Sequence, residues 1–298
     1  MSGEASRSPP PPPSVVCFGE VLYDLAPSGK TVGGAPLNVA VHARQLGLAA
    51  AVISRVGADE AGDGILAFLQ TRGVDATHIG RDDSYATGAV RVTFPRPDDP
   101  HYEIVRDAAW DHLPATEEAA DAVRASDALV VGTLAARSPA TRATLERYAA
   151  AANRCVLDVN FRAPFYDRNL THALLAYASL VKLNDGELDE IAGWNGWRGG
   201  REARLRRLRE AYALDGVILT RGGAGAEYLD ADRYLARPAP RVEVVDTVGS
   251  GDAFLAAFLS RHLSGADAET ALEFAVGVGA YVARQRGATP TIDASSLP

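Results

Sequence analysis

Short apolar runs rich in β-forming residues recur along this chain at 15–18, 51–56, 128–131, 155–159, 180–183 and 217–220. A strand that is apolar at successive positions, not at alternate ones, must be covered on both faces, and strands joined by crossover helices meet that demand. Helical patterns do separate them. The stretch 38–46 is closed by Gly47 and 65–71 by Gly73, while 139–151, 187–192 and 202–212 complete the alternation. The expectation is an α/β fold of three layers, with a mostly parallel central sheet between helices. In such sheets ligands bind beyond the carboxyl ends of the strands, so functional residues are expected just after them.

Two segments depart from that rhythm. Residues 21–26 continuing to 31–33, and 89–94 followed by a Pro/Asp-rich turn and 101–105, alternate as antiparallel strands do. They are expected to form a small β lid, over about 21–34 and 88–107, that is reached through Gly33-Gly34 and closes over a substrate to exclude water. The plainer alternative is an edge extension of the main sheet. Open edges on such a lid suggest a homodimer built through it.

The rest of the composition narrows the function classes. Thirty Lys and Arg against thirty-eight Asp and Glu give a net charge of −8, which leaves no protein-wide positive field for a nucleic acid. Residues 1–13, small and polar and then proline-rich, lack the basic start and apolar stretch of a secretory signal and read as a disordered tail before one domain, 14–298. No apolar run approaches the ~20 residues needed to cross a bilayer, so the expectation is a soluble, cytoplasmic protein without membrane contact. Cys17 and Cys155, each inside an apolar run, read as two buried small hydrophobes in a reducing compartment.

Chemistry concentrates near the carboxyl end, in Asp246-Thr247-Val248-Gly249-Ser250-Gly251-Asp252 leading into the apolar helical run 254–259. Unpaired N–H groups in the first turn of a helix carry partial positive charge, and glycines let an anion approach them. Asp252 could be a capping carboxylate there, or a base whose partner is a substrate hydroxyl. This segment resembles the carboxyl-terminal signature of the ribokinase, or PfkB, family of carbohydrate kinases, with Ser250 where the family usually has Ala. Gly33-Gly34-Ala35-Pro36-Leu37-Asn38-Val39-Ala40 resembles its amino-terminal signature.

The resemblance implies a ribokinase-like fold and ATP-dependent phosphorylation of a sugar. Asp252 would then remove the proton from the attacking hydroxyl, while the amides of Gly249, Ser250 and Gly251 stabilise the transferring phosphoryl group. Asp24, Gly33, Gly34 and Asn38 would hold the sugar; a turn Asp and a helix-capping Asn are the structural alternatives for Asp24 and Asn38. Asp158-Val159-Asn160-Phe161-Arg162 is similar to the segment found in fructokinases and 2-keto-3-deoxygluconate kinases. Arg162 there, and Arg106 in the lid, would bind the substrate or steady the phosphoryl group, unless they pair with surface carboxylates. Asn184 and Glu187 would organise Mg²⁺ and phosphates, largely through water, although Glu is also favoured at a helix start for its own sake. Thr220, Gly222 and Gly225 would contact ATP together with Gly249 and Gly251, with 274–277 to 287–290 closing on the purine. Val276 stands where relatives often carry a polar residue. A monovalent cation such as K⁺ near Asp246 belongs to the same set of expectations.

The subgroup features point to fructose as acceptor, with 2-keto-3-deoxygluconate as the runner-up and ribose or a nucleoside behind. From a different class, a catalytically silent sugar or nucleotide sensor would keep the fold without needing Asp252. Other signals are set aside: Ser28-Gly29-Lys30-Thr31 lacks the first glycine of a P-loop, the histidines have no zinc spacing, and 198–209 reads as a solvated basic helix face. Trp194 and Trp197 are assigned to a glycine-rich loop.

Overall fold

The computed structural model describes residues 11–27, 29–96, 99–293 and 297. Most of the expected proline-rich tail, 1–10, lies outside the described residues. The first half of the chain runs β1 (Ser14–Phe18), β2 (Leu22–Ala26), β3 (Gly29–Gly33), α1 (Ala35–Gln45), β4 (Ala49–Gly57), α2 (Glu60–Thr71), β5 (Ile79–Asp82), β6 (Gly88–Arg96), β7 (Asp99–Ile104), α3 (Glu117–Ala125) and β8 (Ala128–Gly132). It continues through α4 (Pro139–Ala151), β9 (Cys155–Asp158), α5 (Arg168–Leu175), β10 (Leu180–Asn184), α6 (Asp185–Trp194), α7 (Arg201–Ala211), β11 (Gly216–Thr220), β12 (Ala226–Leu229), β13 (Tyr234–Arg237), α8 (Ser250–Leu263) and α9 (Ala268–Val282).

The main sheet has the order β13-β12-β11-β10-β9-β8-β1-β4-β5, parallel from β5 to β11. Its last two strands, β12 and β13, are an antiparallel extension that the sequence pattern did not suggest. The unbroken apolar strands behave as expected: Val15 and Cys17 of β1 enter the core shared with α1, α2, α8 and α9, while Val16 and Phe18 enter the core shared with α3 to α7. Cys17 and Cys155 are buried and free. Because β1 sits between β4 and β8, successive connections leave it in opposite directions, and a crevice opens beyond its carboxyl end.

The lid stands apart as a separate sheet of order β3-β2-β6-β7. Its two hairpins, β2–β3 and β6–β7, are antiparallel as expected, and they join through β2 and β6, which pair in parallel. Its own core is small, Leu22 and Val90 with Ala26 and Ile104 against them. The root of β7 is fastened by Arg137, whose guanidinium pairs with buried Asp111 at 2.6 Å, donates to the Val105 carbonyl at 2.6 Å and lies 4.0 Å over the Trp110 ring.

One minor expectation also changes. Trp194 is the last residue of α6, not a loop residue, and packs beside the stacked pair Phe161 and Tyr166. Gly29-Lys30-Thr31 forms part of the β3 strand of the lid hairpin, which fits the rejection of a P-loop. The basic helix α7 is indeed a solvated face with ion pairs such as Arg206–Glu202.

Candidate active site

The loop before α8 is shaped by one backbone conformation. Gly249 caps the helix at φ 76°, and a Cβ there would lie 2.1 Å from the Ala288 carbonyl oxygen, so only glycine fits. Among the described residues the amides of Gly249, Gly251 and Asp252 donate to nothing in the protein. They are free for an anion. Ser250 differs from the expectation: its N–H turns back to the Thr247 carbonyl at 3.3 Å, and its hydroxyl donates to the same oxygen at 2.9 Å. Behind the loop, residues 253–259 of α8 are buried on every face, which fixes the helix mouth rigidly.

Asp252 lies in the first turn of α8, half-buried, and its Oδ2 accepts a hydrogen bond from Asn38 Nδ2 at 2.8 Å. Asn38 is not a cap, because Gly34 holds the N-cap position of α1 and Asn38 sits a full turn inside it. The two glycine signatures, more than two hundred residues apart in sequence, therefore meet at one carboxyl group. Burial pushes the Asp252 carboxyl up to about 6, as does the nearby charge of Asp158; Lys182, the Asn38 bond and Arg162 pull the other way.

Lys182 and Asp158 were missed as a pair. Lys182 Nζ, buried at the centre of β10, donates to both Asp158 oxygens at 2.8 Å. Its Nζ also lies 3.4 Å from the point where a Cβ on Gly251 would stand, so a held cation sits directly behind the free amides. The signal was present in the sequence, a lysine inside an otherwise apolar strand and a carboxylate ending another, since neither is buried without a partner.

At the lid end, Asp24 lies on β2, and burial raises its carboxyl while Arg162 opposes that. Gly34 is required by its φ of 111° and by the Glu20 carbonyl oxygen, 2.4 Å from where its Cβ would be. Glu20, buried beneath this turn, accepts from the Ala35 N–H at 3.3 Å through one oxygen, and the other has no partner among the described residues. Burial lifts its carboxyl to about 7. Arg162 is exposed and forms no ion pair among the described residues, yet its charge is felt by Glu20, Asp24 and Asp252. Arg106 sits just past β7, its guanidinium 4.8 Å over the Phe165 ring, also without an ion pair among the described residues.

These groups lie between two signatures of one family, and residues 13–295 match its sequence profile, described as pfkB family carbohydrate kinase. The chain belongs to the pfkB family of carbohydrate kinases. It is an ATP-dependent sugar kinase. It is 27% identical to fructokinase-1 of Oryza sativa subsp. japonica, over 93% of this chain and 94% of that one. It is 26% identical to a 5-dehydro-2-deoxygluconokinase of Bacillus subtilis, over 88% of this chain and 83% of the relative. The crystal structure of a fructokinase with bound ATP from Xylella fastidiosa shares its fold, with a TM-score of 0.82 at 23% identity, over 96% of this chain and 95% of that one.

On the far side of the free amides this kinase has a cavity of about 210 Å³ in which Thr220, Gly222, Gly225 and Gly251, four of the residues expected at ATP, meet with Ser250, while the fifth, Gly249, is not in its lining. Val276 joins them from α9, but 287–290 do not: Ala288 instead braces Gly249 and accepts from buried His42 at 2.9 Å. Asn184 and Glu187 form a capping box at the start of α6. Both Glu187 oxygens are engaged, by the N–H groups of Phe161 at 2.9 Å and Asn184 at 2.8 Å. Among the described residues no group of three carboxylate, histidine or cysteine side chains could hold a metal. The donor set of the kinase therefore suits a hydrated cation that arrives with the phosphates more than a protein-built cage.

Proposed function

We propose that this kinase phosphorylates fructose to fructose 6-phosphate, using ATP and Mg²⁺. The observation that carries the transfer step is the placement of Asp252, held by Asn38 beside unpaired amides at the mouth of a buried helix. Asp252 takes the proton of the sugar hydroxyl. The hydroxyl oxygen bonds to the γ-phosphorus as the bond to the β-phosphate oxygen breaks, and ADP leaves. The amides of Gly249, Gly251 and Asp252, with Lys182 behind them, stabilise the charge on the migrating group. A base near pH 6 is ionised at neutral pH while still matched to a hydroxyl proton. When bound, Mg²⁺ would supply charge neutralisation on the phosphates, and Asn184 and Glu187 would hold its water shell.

Asp24, Gly33, Gly34, Asn38, Arg106 and Arg162 are assigned to the sugar. A neutral sugar suits this end, where Arg162 stands among Asp24, Asp252 and Glu20. A second reading, a keto-deoxy sugar acid such as 2-keto-3-deoxygluconate, is favoured by the two guanidiniums without carboxylate partners, and one relative is named as a kinase of that kind. ATP consumption with fructose, 2-keto-3-deoxygluconate, ribose and nucleosides decides between them. Highest kcat/KM on fructose supports the proposal; preference for the acid replaces it with the second reading, and silence on the panel with ATP still bound leaves a sensor. No helix of the described residues is long and apolar enough to cross a membrane. Pairing through the free lid edges β3 and β7 would give a homodimer, and light scattering showing a monomer at micromolar concentration would refute it.

A further inference from the structure

The cavity beyond the free amides has a polar end and an apolar end. Among the described residues its only polar side chains are the hydroxyls of Thr220, Thr247 and Ser250. Two of these are already committed, Thr220 to the Leu183 carbonyl and Ser250 to the Thr247 carbonyl. Away from the phosphate loop the wall includes Val242, Val244, Val276, Ala280 and Ala283, with Ala239, Phe254, Gly279 and Pro240, the last without an N–H to offer. The charged neighbours do not reach in: Arg237 is turned to Glu269, and Arg241 and Glu243 are exposed and take no part in the lining. The Val245 and Asp246 amides are consumed by the Ala283 carbonyl. Val244 is 58% exposed, so the apolar end opens to water at its rim.

Strong rejection of a wrong base, by roughly 10⁴–10⁵, requires buried polar groups that the wrong base leaves unpaired. This wall has no side chain of that kind. We infer that the kinase grips its nucleotide by the phosphates and by apolar contact with the base, and accepts other purine nucleoside triphosphates, GTP and ITP, nearly as well as ATP. The inference rests on the reading of this cavity as the nucleotide site. Purines keep the contact area, whereas CTP and UTP lose part of it, so they should trail.

The test uses the full chain with Mg²⁺. Displacement of a fluorescent ATP analogue by ATP, GTP, ITP and CTP is measured first, then phosphoryl transfer from each to the preferred sugar. The expected result is affinity and kcat/KM for GTP and ITP within about tenfold of ATP, with CTP lower by a further factor of about 10 for its smaller apolar contact. GTP weaker than ATP by a thousandfold would overturn the inference while leaving the kinase reading intact. Equal displacement without transfer from any nucleotide would support the loose base site and overturn the kinase reading. Failure of every nucleotide to displace the probe, with no transfer, would overturn both.

Discussion

The two ends of the cleft are built differently. At the phosphate end the working groups stand on buried helices and central strands, and their neighbours are fixed: Asp252 by Asn38, Lys182 by Asp158, Gly249 by Ala288. At the end proposed for the sugar, Asp24 rides on a separate four-stranded sheet whose buried core is Leu22 and Val90, with Leu25 38% exposed, and Arg162 and Arg106 are held by no carboxylate among the described residues. The contrast separates two requirements. Transfer needs atoms held to fractions of an ångström, which only a packed core supplies. Acceptor choice needs a surface that can change by single side chains, which a small separate sheet supplies.

The sharpest way to break that comparison is Asp252→Asn, which should lower kcat by about 10²–10⁴, the usual worth of a general base, with nucleotide binding retained. A kcat near that of the unaltered kinase in steady-state assays would remove Asp252 from the mechanism. The same variant should be more stable at pH 8. The folded carboxyl, at about 6, lies above its ordinary 3.8, so the stability offered by the neutral acid is present below 3.8 and lost as the pH climbs through 6. Lys182→Met comes next: leaving Asp158 buried and unpaired should cost roughly 3–5 kcal/mol in denaturant titrations. Adding Asp158→Leu should restore part of it. No recovery in the double variant would mean that the pair does more than balance its own charges.

Smaller effects test the positioning of the base and the softness of the lid end. The rate should rise with pH through about 6, because Asp252 must be ionised. Asn38→Leu removes a bond that favours the ionised form, so the midpoint of the kcat profile should move upward; an unmoved midpoint would show that Asn38 does not tune the base. Arg162→Ala should raise the KM for the sugar by about tenfold, the order of one charge-assisted hydrogen bond, with kcat changed less. A fall confined to kcat would place Arg162 with the phosphoryl group instead. Glu20→Gln is the mildest. With its carboxyl lifted from 4.5 to about 7, the neutral form aids the fold at low pH and is lost above 7, so the variant should melt about 2–4 °C higher at pH 8 and little changed at pH 5.

Much of this was legible without coordinates. Unbroken apolar strands required a sheet covered twice, and Val15 and Val16 duly point into opposite cores. Local rules also marked the glycine-opened helix at Asp252 and the glycine turn at Gly33-Gly34, since backbone conformation and helix-end electrostatics act over a few residues. They failed where short strands carry no distinct period, as in β12 and β13, and where one residue has two good local uses, as with Asn38.

The sequence by itself determined the layered architecture, the family and the chemical character of the helix mouth, because each depends on near neighbours in the chain. Only the tertiary structure decided that Asn38 grips Asp252 across 214 positions, that Lys182 and Asp158 neutralise each other behind the free amides, and that Val242, Val244, Val276, Ala280 and Ala283 converge on one wall of the neighbouring cavity. Such facts arise from contacts between distant segments. Burial then sets their strength, lifting Asp252 to about 6 where a peptide of the same sequence would leave it an ordinary carboxylate.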